Sequence, residues 1–256
     1  MFAKKSFGQN FLQDQAVIDQ IVAALEPKAG ESVIEIGAGR GALTEKLLAA
    51  GFNVTAIEFE RDMISVLKER FGSQDNFKLI EDDALSVDFA KISGSAPVKA
   101  VGNLPYNIST AILQRLVSVR EHFSLLVLMF QREVVMRITA SPGDSERGFL
   151  TVMTEAAFDV ESLFDVSPEA FAPQPNVWSS VVTLAPKPAS VGDETAFREL
   201  IGVAFAQKRK TILNNLKRAR INAESILAES AIDPKRRAET LSLEEWFRVY
   251  AAFTKK

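Results

Sequence analysis

The chain of 256 residues is 47% hydrophobic and 25% charged, carries a net charge of −3 and contains no cysteine. Without thiols there can be no disulfide framework, no zinc site built on thiolates and no cysteine nucleophile. The length and apolar content predict a soluble, cored protein, either one large domain or a sizeable domain with a smaller companion.

The opening stretch, MFAKKSFGQNFLQD, begins with charge but lacks the apolar run of roughly 7 to 15 residues that a secretory signal needs. Residues 14–26 then set Val17, Ile18, Ile21, Val22 and Leu25 at the spacing of one helix face, with Asp14 placed as N-cap. Short buried strands are predicted at residues 32–36, 53–57, 77–80, 98–101 and 124–129. Helices are predicted at 42–50, 61–71 and 109–119. The longest uninterrupted apolar run, residues 125–130, is far shorter than the roughly 20 residues of a membrane helix, so no membrane partner and a cytoplasmic location are expected. The alternation predicts an α/β fold with a mostly parallel sheet covered by helices on both faces.

From Gly148 the pattern changes. FLTVMTEAAFDVESLFDV and SSVVTLAP read as strands without intervening helices, hence as antiparallel pairs, and APKPASVGDE reads as a linker. Beyond it the chain reads as wholly helical. Ser242-Leu-Glu-Glu245 fits a capping box that opens a last helix bearing Trp246, Phe247, Tyr250 and Phe253. Two domains are therefore expected, residues 1–187 and residues 188–256.

Residues 33–43, VIEIGAGRGAL, read as strand, glycine turn and helix. Gly37, Gly39 and Gly41 permit a tight turn and close approach of a ligand to the backbone. Glu58, 21 positions after Gly37 at the end of the next strand, can accept hydrogen bonds from both hydroxyls of a ribose. Because Gly37-x-Gly39-x-x-Ala42 is also an accepted dinucleotide fingerprint, this spacing does not separate NAD from S-adenosylmethionine. Two features lean to the latter. Glu35 stands two residues before Gly37, and EDDAL follows the third strand, where Asp83 can accept from an adenine amino group while Ala84 and Leu85 offer backbone and apolar contacts.

After the fourth strand comes GNLPYN, residues 102–107. The Asn103-Leu104-Pro105-Tyr106 stretch belongs with the Asn/Asp-Pro-Pro-Tyr class of amino-methylating enzymes, and the physical reason lies in the nucleophile. An exocyclic adenine amino group is weak because its lone pair is delocalised into the ring. What helps is a pair of acceptors, the Asn103 side-chain oxygen and the Leu104 carbonyl, that hold both amino hydrogens and aim the lone pair, with Pro105 fixing the loop. Tyr106 would stack on the base once it has left its helix.

With these motifs in hand the chain resembles the KsgA/RsmA-type small-subunit rRNA adenine dimethyltransferases, relatives of the Erm enzymes. The resemblance spans nearly the whole chain, through KKSFGQNFL, EIGAGRGALT, EDDAL, GNLPYNIST, FAPQPNVWSSVV and FAQKRKTILNNL. It implies a Rossmann-like methyltransferase domain, a small helical domain that docks on RNA, and S-adenosylmethionine as cofactor. Its implied contacts on the cofactor are Gln9, Asn10, Leu12, Gly37, Gly39, Glu58, Asp83, Ala84 and Asn103; separately, Gly8-Gln9-Asn10 ahead of the first helix suggests that the segment before Asp14 closes over it. Asn103 to Tyr106 would hold the target adenine and Phe171 would flank it. The implied reaction puts two methyl groups on N6 of each of two adjacent adenosines in the 3′-terminal stem-loop of 16S rRNA, within an immature small subunit, by a monomeric enzyme.

One stretch departs from the family pattern. Asn176-Val177-Trp178 stands where members usually have Lys-Val and a small or acidic residue; Trp178 could stack on RNA or pack at a strand start, and packing is expected. An RNA partner has physical support in AFAQKRKTILNNLKRARIN, where Lys208, Arg209, Lys210, Lys217, Arg218 and Arg220 occur without an acid. No metal site is expected, and the lone His122 is read as structural. The competing readings are an Erm-like methylation of large-subunit rRNA, a non-catalytic assembly factor that keeps the fold, and an NAD-dependent dehydrogenase, which would lack a proton donor.

Overall fold

The computed structural model describes residues 10–219 and 222–255. In chain order the first elements are β1 (Phe11–Leu12), α1 (Gln15–Ala24), β2 (Ser32–Ile36), α2 (Ala42–Ala49), β3 (Asn53–Glu58), α3 (Arg61–Phe71), β4 (Phe77–Glu81), α4 (Phe89–Ser93), β5 (Val98–Asn103), α5 (Ser109–Val117) and β6 (Phe123–Gln131). Then come α6 (Arg132–Ile138), α7 (Phe149–Ala157), β7 (Phe158–Val166), β8 (Phe171–Ala172), β9 (Ser179–Pro186), α8 (Glu194–Ala204), α9 (Ile212–Arg218), α10 (Ala223–Glu229) and α11 (Leu243–Thr254).

Seven strands form one mixed sheet in the order β4-β3-β2-β5-β6-β9-β7. The first five are parallel, and β9 runs antiparallel to both β6 and β7. Strand order reverses between β2 and β5, which pair through Val33↔Lys99 to Glu35↔Val101, and in such sheets the crevice beyond the carboxyl ends at that reversal binds ligands. Local chemistry sets the pieces. Asp14 caps α1 by accepting from the N–H groups of Ala16 and Val17, and Ile18, Ile21 and Val22 turn inward. Leu12, Val33, Leu47, Val101, Val127 and Val181 join them in one core cluster.

The chain separates into two compact units. One holds Met1–Val135 and Phe158–Pro186, the other Met136–Ala157 and Lys187–Lys256. The helical unit thus takes in a segment from the middle of the chain, a discontinuous division that differs from the expected contiguous one. Arg147 shows why. Its buried guanidinium pairs with Glu155 at 2.7 Å and donates to the carbonyls of Ala140 and Leu241, while the Gly143 N–H donates to the Glu239 carbonyl. The expected strand after Gly148 is also corrected: Phe149–Ala157 is helix α7. Leu150, Val152 and Met153 are buried together with Thr151 and Thr154, and a short, mostly buried run gives little periodicity to tell helix from strand. At the other end Ser242 and Glu245 form the expected capping box of α11.

Candidate active site

Two adjoining cavities, of about 330 and 340 Å³, lie at the carboxyl edge of the parallel strands and share Gly37, Glu58 and Pro105. The first is walled by Asn10, Leu12, Gly39, Asn103 and Tyr106, the second by Phe59, Asp83, Ala84, Leu85 and Ile108. Most of the predicted cofactor residues are thereby brought together on one unit of the protein. Gln9, which was expected with them, lies outside the described residues.

The glycine turn is shaped by its conformation. Gly37, Gly39 and Gly41 all have positive φ, and a Cβ at Gly41 would overlap the Phe71 ring of α3. The turn therefore packs its helix closely, and its amides are spent within the fold: Gly37 N–H on the Ile57 carbonyl, Gly41 N–H on the Ala38 carbonyl and Gly39 N–H on Glu58. Glu58, 8% exposed, accepts three backbone N–H bonds, from Gly39 at 2.8 Å and from Phe59 and Glu60 at 2.9 Å each. A carboxylate offers about four lone-pair positions, so one ribose hydroxyl can be received directly and a second must share with the Gly39 amide. Asp83 accepts from the Leu85 N–H with one oxygen, leaving the other for an amino group.

Beneath the glycine turn, Glu35 is 1% exposed and accepts from the Thr44 hydroxyl at 2.5 Å. Burial, with a lesser contribution from the nearby Glu58 carboxylate, pushes its carboxyl up to about 8 against the pull of the Thr44 hydrogen bonds. The sequence marked Glu35 by position alone; its protonation is a property of the burial.

At the end of β5, Asn103 is the last strand residue rather than a loop residue, paired in register with Met129. Its side-chain N–H group donates to the Asn10 carbonyl at 3.2 Å, which turns the amide oxygen the other way as an acceptor. The turn that follows closes from the Ile108 N–H onto the Pro105 carbonyl, leaving the Leu104 carbonyl outside the turn bond. Asn103 and Leu104 both line the first cavity, where these two acceptors are available. Tyr106 is half-buried and its hydroxyl meets that of Ser179 at 2.6 Å. Burial holds the phenol above its usual value, with the Ser179 hydrogen bond opposing. Sequence reasoning missed Ser179 and Phe59: Phe59 falls in no quoted motif, and Ser179, though inside FAPQPNVWSSVV, is joined to Tyr106 only by the fold.

Two predicted placements are corrected. Phe171 is 4% exposed, sits opposite Leu12 in the β1–β8 pair and belongs to the core, so its ring face is taken up by packing rather than offered to a base. Trp178 is 47% exposed and does not pack at the start of β9.

In the helical unit the expected cations divide by role. Lys208, Arg209 and Lys210 are exposed on a turn between α8 and α9, not on a helix. Asn215 braces that turn by donating to the carbonyls of Ala204 and Gln207. Lys217 pairs with Glu224, Arg218 is exposed, and Arg220 lies outside the described residues. Arg236, from a second basic cluster, is bound to both oxygens of Glu245 at 2.6 and 2.8 Å and serves the cap of α11 instead. That guanidinium holds the Glu245 carboxyl below its usual range.

What sets this sheet edge apart from a dinucleotide crevice is the pair of fixed acceptors beside the glycine turn, which suits an amino group awaiting an electrophile. The fold and site define the class of Rossmann-like, S-adenosylmethionine-dependent methyltransferases, and the left-handed glycines, the half-satisfied Asp83 and the paired cavities fit that cofactor. Comparison with known proteins carries this further. Residues 2–255 match the family model "Ribosomal RNA adenine dimethylase", and the chain belongs to that family. "Ribosomal RNA small subunit methyltransferase A" of Hahella chejuensis is 43% identical over 251 residues, 96% of this chain and 91% of that one. The crystal structure of a dimethyladenosine transferase from Plasmodium falciparum matches with a TM-score of 0.81 and 28% identity over 96% of this chain and 98% of the other. The 23S rRNA methyltransferase ErmE shares the fold, with a TM-score of 0.72 and 24% identity over 96% of this chain and all of its own. NAD, which the glycine spacing left open, is excluded by the family.

Proposed function

We propose that this enzyme dimethylates N6 of two adjacent adenosines in the 3′-terminal stem-loop of 16S rRNA during small-subunit maturation. The observation that carries the reading is the Asn103 amide, whose N–H group is pinned by the Asn10 carbonyl in the cavity that Leu104 also lines, which leaves its oxygen as an acceptor. S-adenosylmethionine, when bound, supplies a methyl group on a positively charged sulfur. Gly37, Gly39, Glu58, Asp83 and Ala84 would hold it, with Asn10 and Leu12 closing one side.

The protein's own part is orientation. The Asn103 oxygen and Leu104 carbonyl take the two amino hydrogens, which directs the nitrogen lone pair away from them. No side chain need act as a base beforehand, since the proton becomes acidic only as the new N–C bond forms. Tyr106, tied to Ser179, gives the base a fixed face to stack on. Lys208, Arg209, Lys210 and Arg218, exposed and without an acidic partner among the described residues, are assigned to phosphate contacts, which make binding salt dependent.

The test is methyl transfer from labelled S-adenosylmethionine to small subunits that lack the stem-loop methyl groups, with large subunits in parallel. Small-subunit label that falls by about 10²-fold or more in Asn103→Ala is expected, the scale set by misplacing a reacting group by about an ångström. Label confined to the large subunit, or undiminished in the variant, would overturn the reading.

A further inference from the structure

We infer that Trp178 is a stacking platform for an unpaired nucleobase of the rRNA neighbouring the target adenine, an inference that rests on the function proposed above. Among the described residues only four large hydrophobic side chains are exposed, and two are consecutive, Val177 and Trp178. The chain's other tryptophan, Trp246, is 0% exposed, so this indole is left in solvent while its counterpart is fully buried.

The residue is held at a defined place. Its carbonyl accepts from the Arg132 N–H at 2.9 Å, the next residue, Ser179, meets the Tyr106 hydroxyl at 2.6 Å, and Ser180 donates to Asp165 at 2.5 Å. Because β9 runs antiparallel to β6 while β6 runs parallel to β5, the start of β9 lies at the same sheet edge as Asn103. The indole therefore projects from fixed backbone at the catalytic edge, one residue from the group that positions Tyr106.

Charge there is balanced, which decides what the surface recognises. Arg132, whose backbone N–H bonds the Trp178 carbonyl, has its own charge partnered by Asp165 at 3.4 Å. What is offered is an aromatic face, and unpaired bases of RNA loops stack on such faces whatever their identity. A platform already ordered by its backbone bonds loses little entropy when the base arrives.

The test compares Trp178→Ala and Trp178→Phe with the unmodified protein in methyl transfer to small subunits lacking the stem-loop methyl groups. Removing one stacked base predicts a KM for the subunit raised about 5- to 140-fold, equivalent to about 1–3 kcal/mol. KM for S-adenosylmethionine, kcat and the salt dependence should change little, thermal stability should hold, and phenylalanine should restore most of the loss. A KM for the subunit within twofold of the unmodified protein in Trp178→Ala overturns the inference. If the unmodified protein methylates nothing, the catalytic reading has failed by itself. Cosedimentation with the particle then decides: binding weakened 5- to 140-fold by the alanine sustains the platform, and equal binding overturns it.

Discussion

Replacing Glu35 by glutamine should change how stability depends on pH, and the magnitude follows from the site. The carboxyl is buried beneath the glycine turn with the Thr44 hydroxyl and backbone N–H bonded to it, and desolvation raises it from about 4.5 to about 8. Between those values the folded protein holds a proton that the unfolded chain has lost. Stability from this group is therefore fully present below pH 4.5 and declines as pH rises toward 8, at up to about 1.4 kcal/mol per pH unit and on the order of 5 kcal/mol over the window. Glutamine mimics the protonated acid in shape and still accepts from Thr44, but it does not titrate. Urea unfolding followed by circular dichroism at half-unit steps from pH 5 to 9 gives both profiles, and all other ionisable groups cancel in their difference. The variant should gain on the unmodified protein steadily up to pH 8 and run parallel above it. Parallel profiles throughout would refute the argument, showing that Glu35 is already ionised in the folded state.

Two further outcomes are expected from the same geometry. Ser179→Ala removes the partner of the Tyr106 hydroxyl and should weaken RNA use by roughly 2- to 12-fold, the equivalent of one hydrogen bond of about 0.5–1.5 kcal/mol. KM for S-adenosylmethionine should be unaffected, and the effect should vanish when Tyr106 is already phenylalanine, as kinetics of the double variant would show. Gly41→Ala forces a left-handed residue to carry a Cβ into the Phe71 ring and should cost about 2–5 kcal/mol in chemical denaturation, whereas a loss below about 0.5 kcal/mol would mean that α3 yields freely.

How much of this was legible in the sequence depended on whether a feature was local. The five parallel strands, the Asp14 cap and the Ser242–Glu245 capping box each rest on residues a few positions apart, and the structure agrees with all of them. α7 was misread because its polar side is made only of Thr151, Thr154 and Glu155, with both threonines buried, so a nine-residue run of otherwise apolar residues gives too short a period to tell helix from strand. Membership of Met136–Ala157 in the helical unit rests on Arg147 reaching Leu241, a bond across 94 positions that no motif announces. Trp178 failed for the opposite reason. A lone tryptophan is usually buried, and only the hydrogen bonds on either side of it show that its backbone is fixed while its ring is free.

The same distinction explains why the site's residues were easy to find and their arrangement was not. Asn103 and Tyr106 lie in one short motif, but neither is oriented by it. Asn103 takes its amide direction from Asn10, 93 positions earlier, and Tyr106 takes its hydroxyl partner from Ser179, 73 positions later. The sheet brings the pair from the last strand, β9, onto the edge that ends β5, while the β1–β8 ladder fixes the segment that carries Asn10. An amide that must present its oxygen and a ring that must keep its face open are each held from outside the loop that bears them. On the function proposed above, the acceptors are consequently in place before any base arrives, and little of the orientation has to be established during the reaction.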